Sequence, residues 1–122
     1  MDYREKIKKE SEKLELNSYT NFCTNLYLRQ FSPYKKNEVL GFCLRDAEKS
    51  LNALTGILPV HEKKLKKILE LCKKDSLYRK YCLEDKKNHC GDLWAIEKTI
   101  KEKKVAINSY RKYIQIVEAE MK

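Results

Sequence analysis

Glycine and proline are almost missing from this chain, with three and two residues among 122. So little of either leaves scant material for tight turns, glycine-rich phosphate loops or strand bulges, and suits long helices with short connections. Histidine is equally scarce. Two of them do not furnish a convincing nucleophile–base–orienter set, and no E-x-x-H pair exists for a di-iron bundle, so enzymatic activity is not expected. Long apolar runs are missing too, and none approaches the roughly 20 residues needed to cross a bilayer. The opening stretch MDYREKIKKESEKLE has no apolar core of a secretory signal. The expectation is a cytoplasmic protein with no membrane segment, in which Cys23, Cys43, Cys72, Cys82 and Cys90 stay reduced, as their odd number agrees.

What the chain does have is charge. Charged residues make up 37%, which would suit disorder, but 42% hydrophobic residues at clear helical spacing argue for a folded domain. The length allows one domain with a core, residues 1–122. The periodicity predicts an all-α fold, an antiparallel four-helix bundle with a long C-terminal helix, since short connections force neighbouring helices to reverse. The first helix is expected from Tyr3 to Phe31 with a bend at Asn17–Ser18. Its later half carries Tyr19, Phe22, Cys23, Leu26 and Tyr27 on one side. Asn37 would cap the second helix, which Gly56 and Pro59 would close before a third. That third helix meets a phase slip near Asp75–Ser76, and Asn88–Gly91 reads as a stop. The last helix, from Leu93 to about Met121 with Asp92 as its cap, carries a stripe of Leu93, Ile96, Ile100, Ile107, Tyr110, Ile114, Val117 and Met121. It is longer than a small bundle needs. Lys103 falls inside its apolar stripe, so residues past Lys103 are expected to contribute to contacts between subunits of a homo-oligomer or to a basic channel.

The charge is concentrated. His61 to Lys74, HEKKLKKILELCKK, holds six lysines against two glutamates. On a helix Leu65, Ile68, Leu69 and Cys72 fall within an arc of about 100°, and the lysines spread over the half-circle facing away. The segment lacks the i,i+4 Glu–Lys ladder of an inert surface helix. A net charge of +9 favours phosphate polyanions, anionic lipid or an acidic protein. The lysine helix has no exposed bulky apolar face to enter lipid, which makes a membrane surface the weakest of the three. Phosphate contact is expected from Lys63, Lys64, Lys66, Lys67, Lys73, Lys74, Arg79, Lys86, Lys87, Lys103, Lys104 and Arg111. Tyr34, Tyr78, Tyr81 and Tyr113 neighbour basic residues and would supply stacking faces.

Cys72, Cys82, His89 and Cys90 are four metal-ligand types within nineteen residues. Zinc sites are usually built on close pairs such as C-x2-C. Here the first gap is nine residues, and adjacent His89 and Cys90 do not easily ligate one ion. No metal or cofactor is expected.

Around the first turn the chain reads Tyr19 … Phe31-Ser32-Pro33, then Leu40-Gly41-Phe42-Cys43-Leu44-Arg45-Asp46-Ala47. This resembles the accessory variability determinant proteins of diversity-generating retroelements, and the related four-helix family encoded within ribosomal RNA intervening sequences. Both carry an aromatic helix ending at Phe-Pro, a short basic turn, and Leu-Gly opening the second helix. Ser32 between Phe31 and Pro33 departs from that pattern, as does Trp94 at the start of the last helix in place of a late Gly-Trp element. The resemblance implies a ring-forming four-helix bundle, a pentamer, that binds RNA and a reverse transcriptase. The sequence therefore leads to a non-enzymatic nucleic-acid-binding subunit, RNA favoured, of a ribonucleoprotein or reverse-transcriptase complex. The alternative is a protein-binding module, such as a phage-encoded inhibitor or an immunity-type protein, whose cationic face meets an acidic partner.

Overall fold

Helix formation follows the periodic segments, with boundaries that local signals alone misplace. The computed structural model describes residues 2–29, 33–77, 79–80 and 91–121, and for residues 91 and 92 the backbone only. Among them the fold is all-α, with four helices packing together: α1 (Tyr3–Ser11), α2 (Ser18–Tyr27), α3 (Lys36–Lys74) and α4 (Gly91–Glu120). At about 1.5 Å per residue α3 is about 58 Å long and α4 about 45 Å.

The expected first helix is two helices. Asp2 caps α1 by accepting from the Arg4 N–H. The chain then leaves helical geometry over residues 12–17 and re-enters at Asn17, whose Oδ1 accepts from the Thr20 N–H at 2.7 Å. A helix broken here must find other partners for its backbone donors. Two come from α4: the Glu15 N–H donates to the Ser109 hydroxyl at 3.0 Å and the Asn17 N–H to the Tyr110 hydroxyl at 3.1 Å. The break is therefore satisfied by tertiary contacts and turns the chain back toward α4.

The expected second and third helices are one. α3 passes through Gly56 and Pro59 without stopping. Gly56 has a negative φ and does not adopt the left-handed conformation that ends helices. Pro59 lies on an exposed side of the helix, where its ring displaces no packed neighbour. Asn37 stands inside the first turn, not at the cap, since the first helical bond runs from the Val39 N–H to the Lys35 carbonyl. The helix does end at the predicted phase slip. Asp75 closes it, its carboxylate accepting from the Leu77 N–H at 3.0 Å. The predicted stop at Asn88–Gly91 begins in residues outside those described. Gly91 itself opens α4, and Asp92 lies within the helix, not before it.

The chain divides into two packed units, residues 1–54 with 105–122, and residues 55–104. The core of the first is Ile7, Leu28, Val39, Leu40, Cys43, Ala47, Tyr110, Tyr113 and Val117, with Tyr27, Leu44, Leu51 and Ile114 partly covering it. The end of α4 expected to reach into contacts between subunits is thus core. Ile107, Tyr110, Tyr113 and Val117 are buried.

The face of α2 is the larger departure. Of its predicted apolar side only Cys23 is buried and Tyr27 half-buried, while Thr20 and Thr24 face inward and Tyr19, Phe22 and Leu26 face solvent. Two hydrogen bonds account for this. Thr20 Oγ1 lies 2.7 Å from the Tyr110 hydroxyl and Thr24 Oγ1 lies 2.7 Å from the Tyr113 hydroxyl. Threonines at i,i+4 on α2 meet tyrosines at i,i+3 on α4. Buried hydroxyls must be paired, so the helix turns its hydroxyl side inward. Burial holds the Tyr113 phenol protonated well above its usual range and pushes the Cys43 thiol, which bonds to it, up to about 11.

Two outcomes follow. Gly56→Ala removes backbone freedom in mid-helix, and an added methyl meets no atom within 4 Å. It should raise stability by about 0.5–1 kcal/mol in urea unfolding, whereas a helix closing at Gly56 in left-handed geometry would make the same change destabilising. Tyr113→Phe should cost about 1–2 kcal/mol by orphaning the Thr24 hydroxyl. Combined with Thr24→Val it should cost less than the two singles together, with a coupling of about 1 kcal/mol. Strict additivity would show that the hydroxyl pair does not orient α2.

Candidate nucleic-acid interface

The lysine segment belongs to the second unit. Leu65 and Ile68 of α3 pack against buried Leu93 of α4, and Cys72 is buried further along the same stripe. Leu69, expected in the dry arc, sits at its margin and is exposed. With the stripe held this way, Lys63, Lys64, Lys66, Lys67, Lys73 and Lys74 are all exposed. None of the six makes an ion pair with a described residue, in contrast to Lys6, which meets Glu120 at 2.9 Å in the first unit. Lysines held apart from carboxylates keep their full charge for an external anion.

Charge follows the same division. Residues 55–104 carry 14 Lys and Arg against 8 Asp and Glu, a net +6, which leaves +3 for the rest of the chain. The second unit therefore holds two thirds of the excess.

Lys66, Lys73 and Arg79 surround a depression of about 310 Å³ whose other walls are Leu69, Glu70 and Cys72. Lys66 and Lys73 are two turns apart on the flank of α3 nearest Leu69. Arg79 is fixed by the end of the helix. Its Nε–H donates to the Cys72 carbonyl at 3.0 Å and its Nη2 to the Lys73 carbonyl at 2.6 Å. These carbonyls lack partners within the helix, and a cation there also meets the negative end of the helix dipole. Leu69 and Cys72 give the depression an apolar floor that can take a flat apolar group, and its rim mixes the three cations with the Glu70 carboxylate.

The other predicted residues separate. Lys104 is exposed and Lys103 half-buried, both in the second unit, and Lys103 pairs with no carboxylate among the described residues. Arg111 is exposed in the first unit. Lys86 and Lys87 lie outside the described residues, as do Tyr78, Tyr81, Cys82, His89 and Cys90. Among the described residues no group of three His, Cys, Asp or Glu side chains could hold a metal, and no helix is long and apolar enough to cross a membrane.

The stacking expectation needs correction at Tyr113, which is fully buried with its hydroxyl engaged and offers no face to a base. Tyr34 is half-exposed, with its ring edge-on to Phe42 at 5.0 Å. An aromatic that sequence reasoning passed over is Trp94. It is exposed in the second unit, with the Lys98 ammonium 5.1 Å above its ring. Its i,i+4 spacing to Lys98 on a helix was the available signal.

No protein-family model matches the chain, and no curated protein or solved structure does either.

The geometry separates the roles of two cations. Arg79→Gln should loosen the last turn of α3, costing about 1 kcal/mol and accelerating amide exchange over residues 72–77. A neighbouring Lys74→Gln, which removes a last-turn charge but no hydrogen bond to a carbonyl, should accelerate exchange there much less. Equal protection in both variants would mean that Arg79 does not cap the helix.

Proposed function

We propose that the protein is a non-enzymatic, basic helical bundle that binds nucleic acid, RNA in particular, as an accessory subunit of a ribonucleoprotein or reverse-transcriptase assembly in the cytoplasm. The observation that carries this is the lysine face of α3: six exposed lysines that make no ion pair with any described residue, on a helix whose opposite side carries Leu65, Ile68 and Cys72. Cations spread over one half of a helix suit a polyanion. Contacts of this kind position a backbone and read little sequence. Exposed Trp94 under Lys98 adds an aromatic face to the same unit. The antiparallel arrangement belongs to this reading, supported by the short connections on either side of α2, and so does assembly into a homo-oligomer. The non-enzymatic part rests on the lack of a nucleophile–base set in the sequence.

One observation favours a protein-binding module with an acidic partner. Leu71 is 54% exposed and lies between Lys67 and Lys74 at i−4 and i+3. An apolar side chain amid lysines suits a protein contact better than a phosphate backbone.

Changing Lys63, Lys64, Lys66 and Lys67 to Gln should weaken binding to single-stranded RNA, measured by fluorescence anisotropy over a salt series. Each lost phosphate contact should flatten the log–log salt dependence by roughly 0.7–0.9. All four side chains are exposed, so the fold should survive, as circular dichroism would verify. An unchanged affinity and slope would reject this face for RNA and leave the acidic protein partner as the better reading.

A further inference from the structure

The apolar face of α2 is turned outward, and the reason lies behind it. Tyr19 is 64% exposed, Phe22 63% and Leu26 38%. At i, i+3 and i+7 they form one stripe along the helix. α2 cannot roll to bury them without pulling Thr20 and Thr24 away from the Tyr110 and Tyr113 hydroxyls, which would leave buried hydroxyls unpaired. The stripe is a fixed feature of the folded chain.

Its surroundings identify what would cover it. Residues 16–28, LNSYTNFCTNLYL, contain no charged side chain, in a sequence that is 37% charged. The nearest charged side chains are Glu15 and Arg29 at the two ends of this stretch and Asp46 of α3 beside Tyr19 and Tyr27, so an acidic protein or a phosphate backbone finds one cation here and two carboxylates. A second copy of the chain is suited to it, because two molecules of net charge +9 repel least where their facing surfaces are neutral. The stripe is also self-complementary. If two α2 helices pair antiparallel about a twofold axis, Phe22 meets Phe22 of the other copy at the axis, and Tyr19 of each copy meets Leu26 of the other. Ser18 and Asn25, exposed beside the stripe, supply neutral donors and acceptors for the rim.

We propose that α2 is a self-association surface, pairing with α2 of a second copy through Tyr19, Phe22 and Leu26. The surface shares no residue with the lysine face, and its pairing does not require nucleic acid. Aromatic side chains cover about 150–250 Å² each when fully buried. Exposed to these fractions, the three residues offer on the order of 300–400 Å² per copy, below the ~800 Å² per partner of a standard interface. The dimer is therefore weak and reversible.

Sedimentation equilibrium of the full chain, from about 1 to 200 µM and free of nucleic acid, tests this. The expected result is a monomer–dimer equilibrium within that range. Phe22→Lys places like charges against each other at the axis and should weaken dimerisation at least tenfold. Leu26→Asn should weaken it less, and both should keep the helical circular dichroism of the parent, because these side chains are outside the core. The variant with Lys63, Lys64, Lys66 and Lys67 changed to Gln should dimerise at least as well as the parent, which separates this surface from the nucleic-acid face. A parent chain that stays monomeric up to the highest concentration would overturn the proposal. So would a folded Phe22→Lys variant that dimerises as the parent does.

Discussion

Two tyrosine hydroxyls on α4 decide much of the first unit. Tyr110 and Tyr113 are large side chains in its core, each bringing a polar group that a dry interior does not tolerate unpaired. Thr20 and Thr24 satisfy them, and the pairing fixes the rotation of α2 about its own axis. The Tyr110 hydroxyl also receives the Asn17 N–H, so the same residue that orients α2 stabilises the break before it. Thr20 in turn lies 3.5 Å from the Ser50 hydroxyl of α3. One polar seam thus touches three helices. Its cost is the outward turn of Tyr19, Phe22 and Leu26.

The second unit is organised on the opposite principle. Its stripe is narrow and apolar, Leu65 and Ile68 against Leu93. A narrow stripe leaves most of the circumference of α3 to solvent, and that is where the lysines stand. Like charges at i,i+3 and i,i+4, such as Lys63 with Lys66 and Lys67, disfavour an isolated helix by a few tenths of a kcal/mol per pair. The sequence keeps these repulsions where alternating signs would have relieved them. Local repulsion of this kind, uncompensated among the described residues, is what supports the proposed anion-binding surface.

Much of the architecture was legible because it depends on periodicity. The helical class, the reach of α4 and the dry side of the lysine helix at Leu65, Ile68 and Cys72 all follow from 3.6-residue spacing. The phase slip at Asp75 was legible too. The fusion of α3 was not, because Gly56 and Pro59 are read as stops locally, whereas a helix already nucleated on both sides continues through an exposed proline. The face of α2 was hidden for a different reason. Hydropathy ranks Tyr, Phe and Leu above Thr, and only the distant Tyr110 and Tyr113 make inward threonines favourable. Pairing between residues about 90 apart leaves no local trace. The same blindness made Tyr113 look like a stacking face, since its basic neighbour Lys112 lies on the exposed side of the helix. At the candidate interface, the lysines were legible from charge alone, but the role of Arg79 as a cap was not, because it depends on where α3 ends.

Charge density and its absence then acquire a common logic. A chain with an excess of nine positive charges resists meeting itself, and salt largely removes that resistance only for charges more than about 8–10 Å apart, weakening it less at shorter range. Self-association, as proposed for α2, would need a surface where close approach brings few like charges together. The uncharged run from Leu16 to Leu28 is such a surface, and it is also the helix whose apolar side the tyrosine–threonine seam turns outward. A polyanion bound to the lysines would lower the net charge and with it the repulsion between copies. Binding at the lysine face and pairing through α2 would then reinforce each other by linkage, without any change in the conformation of either surface.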